Sequence, residues 1–199
     1  MYVQGELHWL PMPTQSDRRA ATTASLLSAA RKLFATEGYT TVSIDDIASA
    51  AGVTRGALYH HFPSKTAVFE RVVHDTQAEL REEVVGAVAS IEHPREQLLA
   101  GFQEFIGLCA RPDRQQIMLV DGPAILGWQR YRDIDEEYFY ELVLASIAAI
   151  LPDDPGQVHA MTAHALLAAS CELAMRFGAG ATEEHVRDVL ERLIPTSAP

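Results

Sequence analysis

Between Thr54 and Lys65 the chain reads TRGALYHHFPSK, and no acidic residue interrupts it. Arg55, Tyr59, His60 and Lys65 supply donors and cations, and Thr54 adds a hydroxyl. Gly56 and Ala57 are too small to hold a large partner away. A guanidinium fork matches the O6 and N7 acceptors of guanine, so Arg55 is the residue expected at base edges. Other chemistries fit less well. His60 and His61 are adjacent, and neighbours on a helix diverge by about 100°. His159 and His164 stand five apart, off the i, i+4 spacing of a helical metal pair. No Ser-His-Asp spacing, phosphate-cradling glycine loop or His-Glu-x-x-His motif is present. The sequence therefore leads us to expect no enzyme activity, metal or cofactor. Cys109 and Cys171 lie far apart in apolar helical runs and form no Cys-x-x-Cys pair, which reads as two buried thiols.

The residues before Thr54 must present this surface. Ser43 and Asp46 have the spacing of a capping box, with Val42 and Ile47 as the flanking hydrophobic staple. A short helix follows, with Ile44, Ile47, Ala48 and Ala51 on one face. Gly52 can end it in a left-handed conformation. Thr54 then caps a second short helix, Arg55 to about His61, and Pro63 stops it. Two short helices joined by a glycine-containing turn have the geometry of a helix-turn-helix. Leu58 and Phe62 belong to its core.

Together with RKLFATEGY upstream, the stretch TVSIDDIASAAGVTRGALYHHFPSK resembles the DNA-binding domain of the TetR family of bacterial repressors. The likeness rests on Phe34, Gly38, Thr41, Ile47, Ala48, Gly52, Val53, Leu58, Tyr59, Phe62 and Lys65. It covers about residues 18–71. By their matched positions, Tyr59 and Lys65 are implied to bind phosphate, joined by Thr41, Ser43, Thr54 and His60. Phosphate contacts position a protein, whereas base contacts specify sequence.

Charge is divided along the chain. The whole carries a formal −11, yet residues 14–71 hold seven basic and five acidic residues, while residues 72–199 hold nine and twenty-one. A near-neutral head that faces DNA and an acidic body that phosphate repels account for the split. Met1 to Leu10 lacks the basic start of a signal peptide. The run 158–177 contains Glu172 and Arg176 with His159 and His164, too polar to span a bilayer. A soluble cytoplasmic protein with no membrane partner is expected.

The spacing of apolar residues predicts an all-α fold of about nine helices. A three-helix head (17–63) follows an arm (1–16) in which Trp9 and Leu10 could dock on the body. A helical regulatory and dimerisation domain (64–199) completes the chain. The first helix spans 22–37, with Arg18 and Arg19 just before it. A long connector spans 65–89 after Ser64, and helix five spans 94–109. A short helix around 117–120 is interrupted at Asp121-Gly122-Pro123. Helix seven covers 133–151, helix eight 156–177, and helix nine 183–194 after Thr182.

Helix eight bears two apolar stripes, one through Leu166, Ser170, Leu173 and Phe177, the other through His164, Leu167, Cys171 and Met175. A surface helix needs only one, so either burial against more than the chain's own core or deep burial in a single domain is expected. The family resemblance implies that helices eight and nine pair with their symmetry mates, helix nine through Val186, Val189, Leu190 and Leu193. It also implies a small-molecule site between helices five and eight. Candidate lining residues are Phe102, Phe105, Trp128, Tyr131 and Tyr138, with His164, Leu167, Cys171 and Met175.

Three functions are compatible with these residues. The first is a repressor released from a palindromic operator on double-stranded DNA by a small, mostly apolar effector. The second is a helix-turn-helix regulator without small-molecule control, and the third an all-helical enzyme. A solvent-accessible cavity in the body, or its absence, separates the first two, and a cluster of perturbed acids would revive the third.

Overall fold

The computed structural model describes residues 14–196. Among them the chain forms ten α-helices, one π-helical segment and no strand. The arm up to residue 13, with Trp9 and Leu10, lies outside the described residues.

The head consists of α1 (Gln15–Glu37), α2 (Ile44–Ala50) and α3 (Arg55–His61). Helix α1 begins seven residues before the expected start. Thr14 accepts from Asp17 N–H while the Asp17 carboxylate accepts from Thr14 N–H, a complete capping box. Arg18 and Arg19 therefore lie within its opening turns, and residues 14–16 belong to α1 and its cap. Ser43 and Asp46 make the same reciprocal cap on α2, and Thr54 caps α3 through the Ala57 N–H. Between these two helices Gly52 takes φ +69°, a conformation that leaves Val53 free to bond back to the Ala48 carbonyl. Leu26, Ala30 and Phe34 of α1 meet Ile47, Leu58 and Phe62 in the head's core.

Helix α4 (Lys65–Val88) links head to body. Phe69 closes the head core in edge contact with Phe34 and Tyr39, at ring separations of 5.2 and 5.1 Å. Farther along, Val72, Val73, Leu80 and Val84 are buried too. One continuous hydrophobic core therefore runs through both parts.

The body adds α5 (Pro94–Cys109), α6 (Pro112–Gln115), the π-helical segment Gln116–Asp121, α7 (Gly122–Leu126), α8 (Trp128–Ile150), α9 (Gly156–Gly178) and α10 (Glu183–Leu193). The π segment replaces the short α-helix expected at 117–120. Pro123 follows it and has no N–H for an i→i−4 bond, so a wide turn there forfeits little. Gly122 is required by close approach: a Cβ would stand 2.6 Å from the Tyr131 ring. Helix α8 starts five residues earlier than expected. Its first turns are anchored by Tyr131, whose hydroxyl donates to the Met118 carbonyl at 2.7 Å.

On helix α9 the middle of both stripes shows deep burial within a single chain. Leu166, Leu167, Ser170 and Cys171 are all buried within this one chain, where α9 packs on α5 and α8. The middle of both stripes is core, because a helix wedged between two neighbours buries a wide arc. Val186 and Leu190 of α10 are likewise buried in the chain's own core. These side chains are not available to a second copy. Leu173 and Phe177 are half-buried, and Val189 and Leu193 remain exposed. The open side of α9 carries Val158, Met161, Ala165 and Ala168 instead, at i, i+3, i+7 and i+10. No described helix is long and apolar enough to cross a membrane.

Candidate nucleic-acid interface

Helix α3 is amphipathic at its smallest useful length. Leu58 has no exposed surface and anchors the helix to the head. The opposite side presents Thr54, Arg55, Gly56, Tyr59 and His60, all exposed, with Ala57 half-buried. Thr41 and Ser43 are exposed in the turn before α2. Eight of the nine residues expected at DNA thus lie in α3, at its cap, or in the turn before α2, and seven of them are exposed. His61 turns inward, its Nδ1 2.9 Å from the Thr23 hydroxyl, so the adjacent histidines do not converge. Among the described residues no group of three or more metal-binding side chains comes together.

Two features of this surface were hidden in the sequence. Arg55 is paired with Asp45 of α2 at 2.7 Å and lies 5.6 Å from the Tyr59 ring centroid. The pair is well exposed on both sides, and exposed pairs contribute little. Asp45 can therefore hold the guanidinium in place without preventing its transfer to a base edge. Asp45, chiefly, raises the Arg55 pKa, which keeps the cation fully charged.

Lys65 sits differently from the other eight. Its ammonium donates to the carbonyls of Tyr39 and Val42, both at 2.8 Å, and lies 4.1 Å over the Tyr39 ring. An ammonium has three protons, so one is left for a phosphate. Lys65 is first the pin that ties the α1–α2 turn to the start of α4. Backbone acceptors carry no residue identity, and nothing in the sequence marks them.

The body reaches the same turn from the other side. Asp121, at the end of the π segment, is buried and accepts from the Tyr39 N–H at 2.7 Å. Nearby, Arg114 of α6 bonds Glu83, lies 3.7 Å from Glu79, and Glu79 in turn pairs with Arg31 of α1. The Arg114 bond holds the Glu83 carboxyl below its usual range. Head and body therefore meet through a half-buried hydrogen bond and a chain of alternating charges.

A cavity of about 210 Å³ opens in the body between α4, α5, α8 and α9. Phe102, Phe105 and Leu167 line it as expected, along with Val84, Leu98, Phe139 and Val143. Ser170, expected at a dimer face, also lines it. No charged side chain stands among the described lining residues, and Gln97, Ser146 and Ser170 already donate to backbone carbonyls. The remaining six candidates lie elsewhere. Trp128 is half exposed at the start of α8, and Tyr131 is fixed in the core by Met118. Tyr138 bonds His74, and exposed His164 bonds Glu136 and stacks on Tyr140. Met175 is half-buried away from the cavity, and Cys171 faces Asp135. None of the six lines the cavity, a distinction that large size alone could not make.

Comparison with known proteins agrees with this architecture. Residues 26–72 match the profile of bacterial regulatory proteins of the tetR family, and residues 95–195 that of a tetracyclin repressor-like C-terminal domain. The Transposon Tn10 TetC protein of Escherichia coli is 26% identical over 140 residues, 70% of this chain and 71% of that one. The crystal structure of a TetR-family transcriptional regulator from Pectobacterium atrosepticum superposes with a TM-score of 0.72 at 26% identity, covering 90% and 93% of the two chains. FadR of Bacillus subtilis, solved in complex with stearoyl-CoA, superposes with a TM-score of 0.69 at 15% identity over 86% and 97%, a likeness of fold. With its head and half its length matched in turn, the chain belongs to the TetR family of bacterial regulatory proteins and is a DNA-binding transcriptional regulator.

Proposed function

We propose that the chain acts as a homodimeric repressor, released from a palindromic operator when a small, mostly apolar molecule occupies the body. The observation that carries this reading is the charge-free cavity of about 210 Å³, set apart from an acid-free reading helix and joined to it through α4. One helix reads only a few base pairs, so two heads are needed, spaced by about 34–36 Å or a multiple of it. A ligand that binds the DNA-incompetent form better must lower operator affinity by that same differential.

Selection of bound duplexes from a random pool is the first test. It should return an inverted repeat, and a single asymmetric site would overturn the dimeric reading. On that repeat, Arg55→Ala should flatten base preference about tenfold at one position of each half-site. Calorimetry with an apolar ligand that raises the melting temperature tests the coupling. Ligand affinity unchanged by saturating operator would leave a DNA-binding regulator without small-molecule control.

A further inference from the structure

One helical turn beyond the cavity on α8 and α9, and about two turns beyond it on α4, the body holds a polar cluster that its own side chains do not satisfy. Gln77 of α4 is fully buried, and its Oε1 has no hydrogen-bond partner among the described residues. Its amide nitrogen donates to Asp135 Oδ1, but at 3.4 Å. Asp135 of α8 is 1% exposed, and its second oxygen faces Arg132 at 3.4 Å and the Cys171 thiol at 3.8 Å. Arg132 makes its shorter bond, 2.9 Å, to Glu136. The carboxylate thus accepts only long, weak contacts, and the amide oxygen accepts none. Buried acceptors are ordinarily paired, and leaving one bare is costly.

The position of this cluster is informative. Asp135 is four residues before Phe139 on α8, and Cys171 four residues after Leu167 on α9. Phe139 and Leu167 line the cavity, and residues four apart share a helix face. Phe105 and Phe139, in edge contact at 5.1 Å, are the large side chains at this end of the cavity. Along the rest of its wall the cavity offers hydrocarbon and three occupied polar groups.

We propose that the cavity and this cluster form one amphipathic site for an uncharged molecule with an apolar body and a hydrogen-bond-donating end. The donor goes to Gln77 Oε1 and the neighbouring Asp135 carboxylate. The apolar part fills the space walled by Phe102, Val143 and Leu167. An anionic end is disfavoured, because no cation lines the cavity and Arg132, the cation of the cluster, is already held by Glu136 and Asp135. The inference rests on the effector reading above and specifies the effector's chemistry.

The test uses three probes of similar shape on the full chain, followed by isothermal titration calorimetry. They are 4-butylphenol, its methyl ether 4-butylanisole, and 4-butylbenzoate. The phenol should bind at least tenfold more tightly than the ether, and the benzoate should be the weakest of the three. In Gln77→Met, which keeps the length and apolar bulk of the side chain, the preference for phenol over ether should fall below about threefold while the ether binds as before. Equal binding of phenol and ether to the parent protein overturns the polar seat, as it would if only water sits on Gln77, yet leaves the apolar site standing. Tightest binding by the benzoate overturns the charge argument. Binding of none of the three removes the effector site along with it. The comparison of probes on the parent protein decides the matter even if Gln77→Met fails to fold.

Discussion

Lys65 and Asp135 show how much a single residue's role depends on partners far away in sequence. Two charge-assisted bonds from Lys65 hold the Tyr39 and Val42 carbonyls, and bonds to a charged group are worth about 1.5–3 kcal/mol each at most. Lys65→Ala should therefore lower the melting temperature as well as weaken every DNA site. A salt slope reduced by about one would show that the third proton meets a phosphate. A lower melting temperature with an unchanged slope would make the residue structural alone. Burial, opposed by Arg132, pushes the Asp135 carboxyl up to about 6 from a usual value of 3.8. The folded chain then holds that proton more tightly than the unfolded chain does. Its contribution favours the fold below about pH 4 and is lost as pH rises through 6, a swing of order 3 kcal/mol at about 1.4 kcal/mol per unit. Asp135→Asn removes the swing. The melting temperature of the variant relative to the parent should climb between pH 4.5 and 7 and level off above. Parallel curves in scanning calorimetry would show that the carboxyl is not destabilised by burial. Neither role was legible in the sequence. The reading face of α3 was, because Leu58 and Phe62 set its inner side and the rest followed from a short helix, whereas Asp45 beside Arg55 belongs to another helix.

At the scale of elements, the sequence located helices wherever apolar periodicity was strong and missed them where it was weak. The first turns of α1 expose every side chain from Gln15 to Ala21, so there was no stripe to read and only the Thr14–Asp17 cap announced the start. On α9 the difficulty was reversed. Two stripes were visible, but periodicity cannot tell whether a stripe meets a neighbour in the same chain or in another copy. The π segment had no signature beyond Gly122-Pro123, yet it delivers Asp121 to the Tyr39 N–H. That bond is the most direct link between body and reading head. Asp121→Ala leaves the amide unpaired in a half-buried turn and should cost about 1–3 kcal/mol. Hydrogen exchange at residues 39–42 should accelerate more than in α8 or α9. Operator binding should weaken while the cavity keeps its affinity for an apolar probe. Unaltered exchange in the turn would show that Lys65 alone holds it.

For the whole molecule, the proposed function calls for two heads on one duplex, with the acidic body away from it. For that pairing we propose the open stripe of α9, where Met161 is 69% exposed, joined by the exposed Val189 and Leu193 of α10. An interface between identical copies about a two-fold axis places the same patch on both sides. A charge introduced near the axis therefore meets its own copy as well as losing apolar contact. Met161→Glu should split the dimer at micromolar concentration in sedimentation experiments without lowering the helical content of either protomer. Each isolated head would keep its contacts, but the second half-site would no longer be bound at the high effective concentration that tethering provides. Operator affinity should then fall by about a hundredfold to ten-thousandfold, while the lower-affinity binding of a single half-site stays as it was. A variant that remains dimeric and binds the operator normally would place the pairing surface elsewhere. One that splits yet still binds the full operator tightly would mean that a single head is enough, and the argument from two-fold spacing would fall with it.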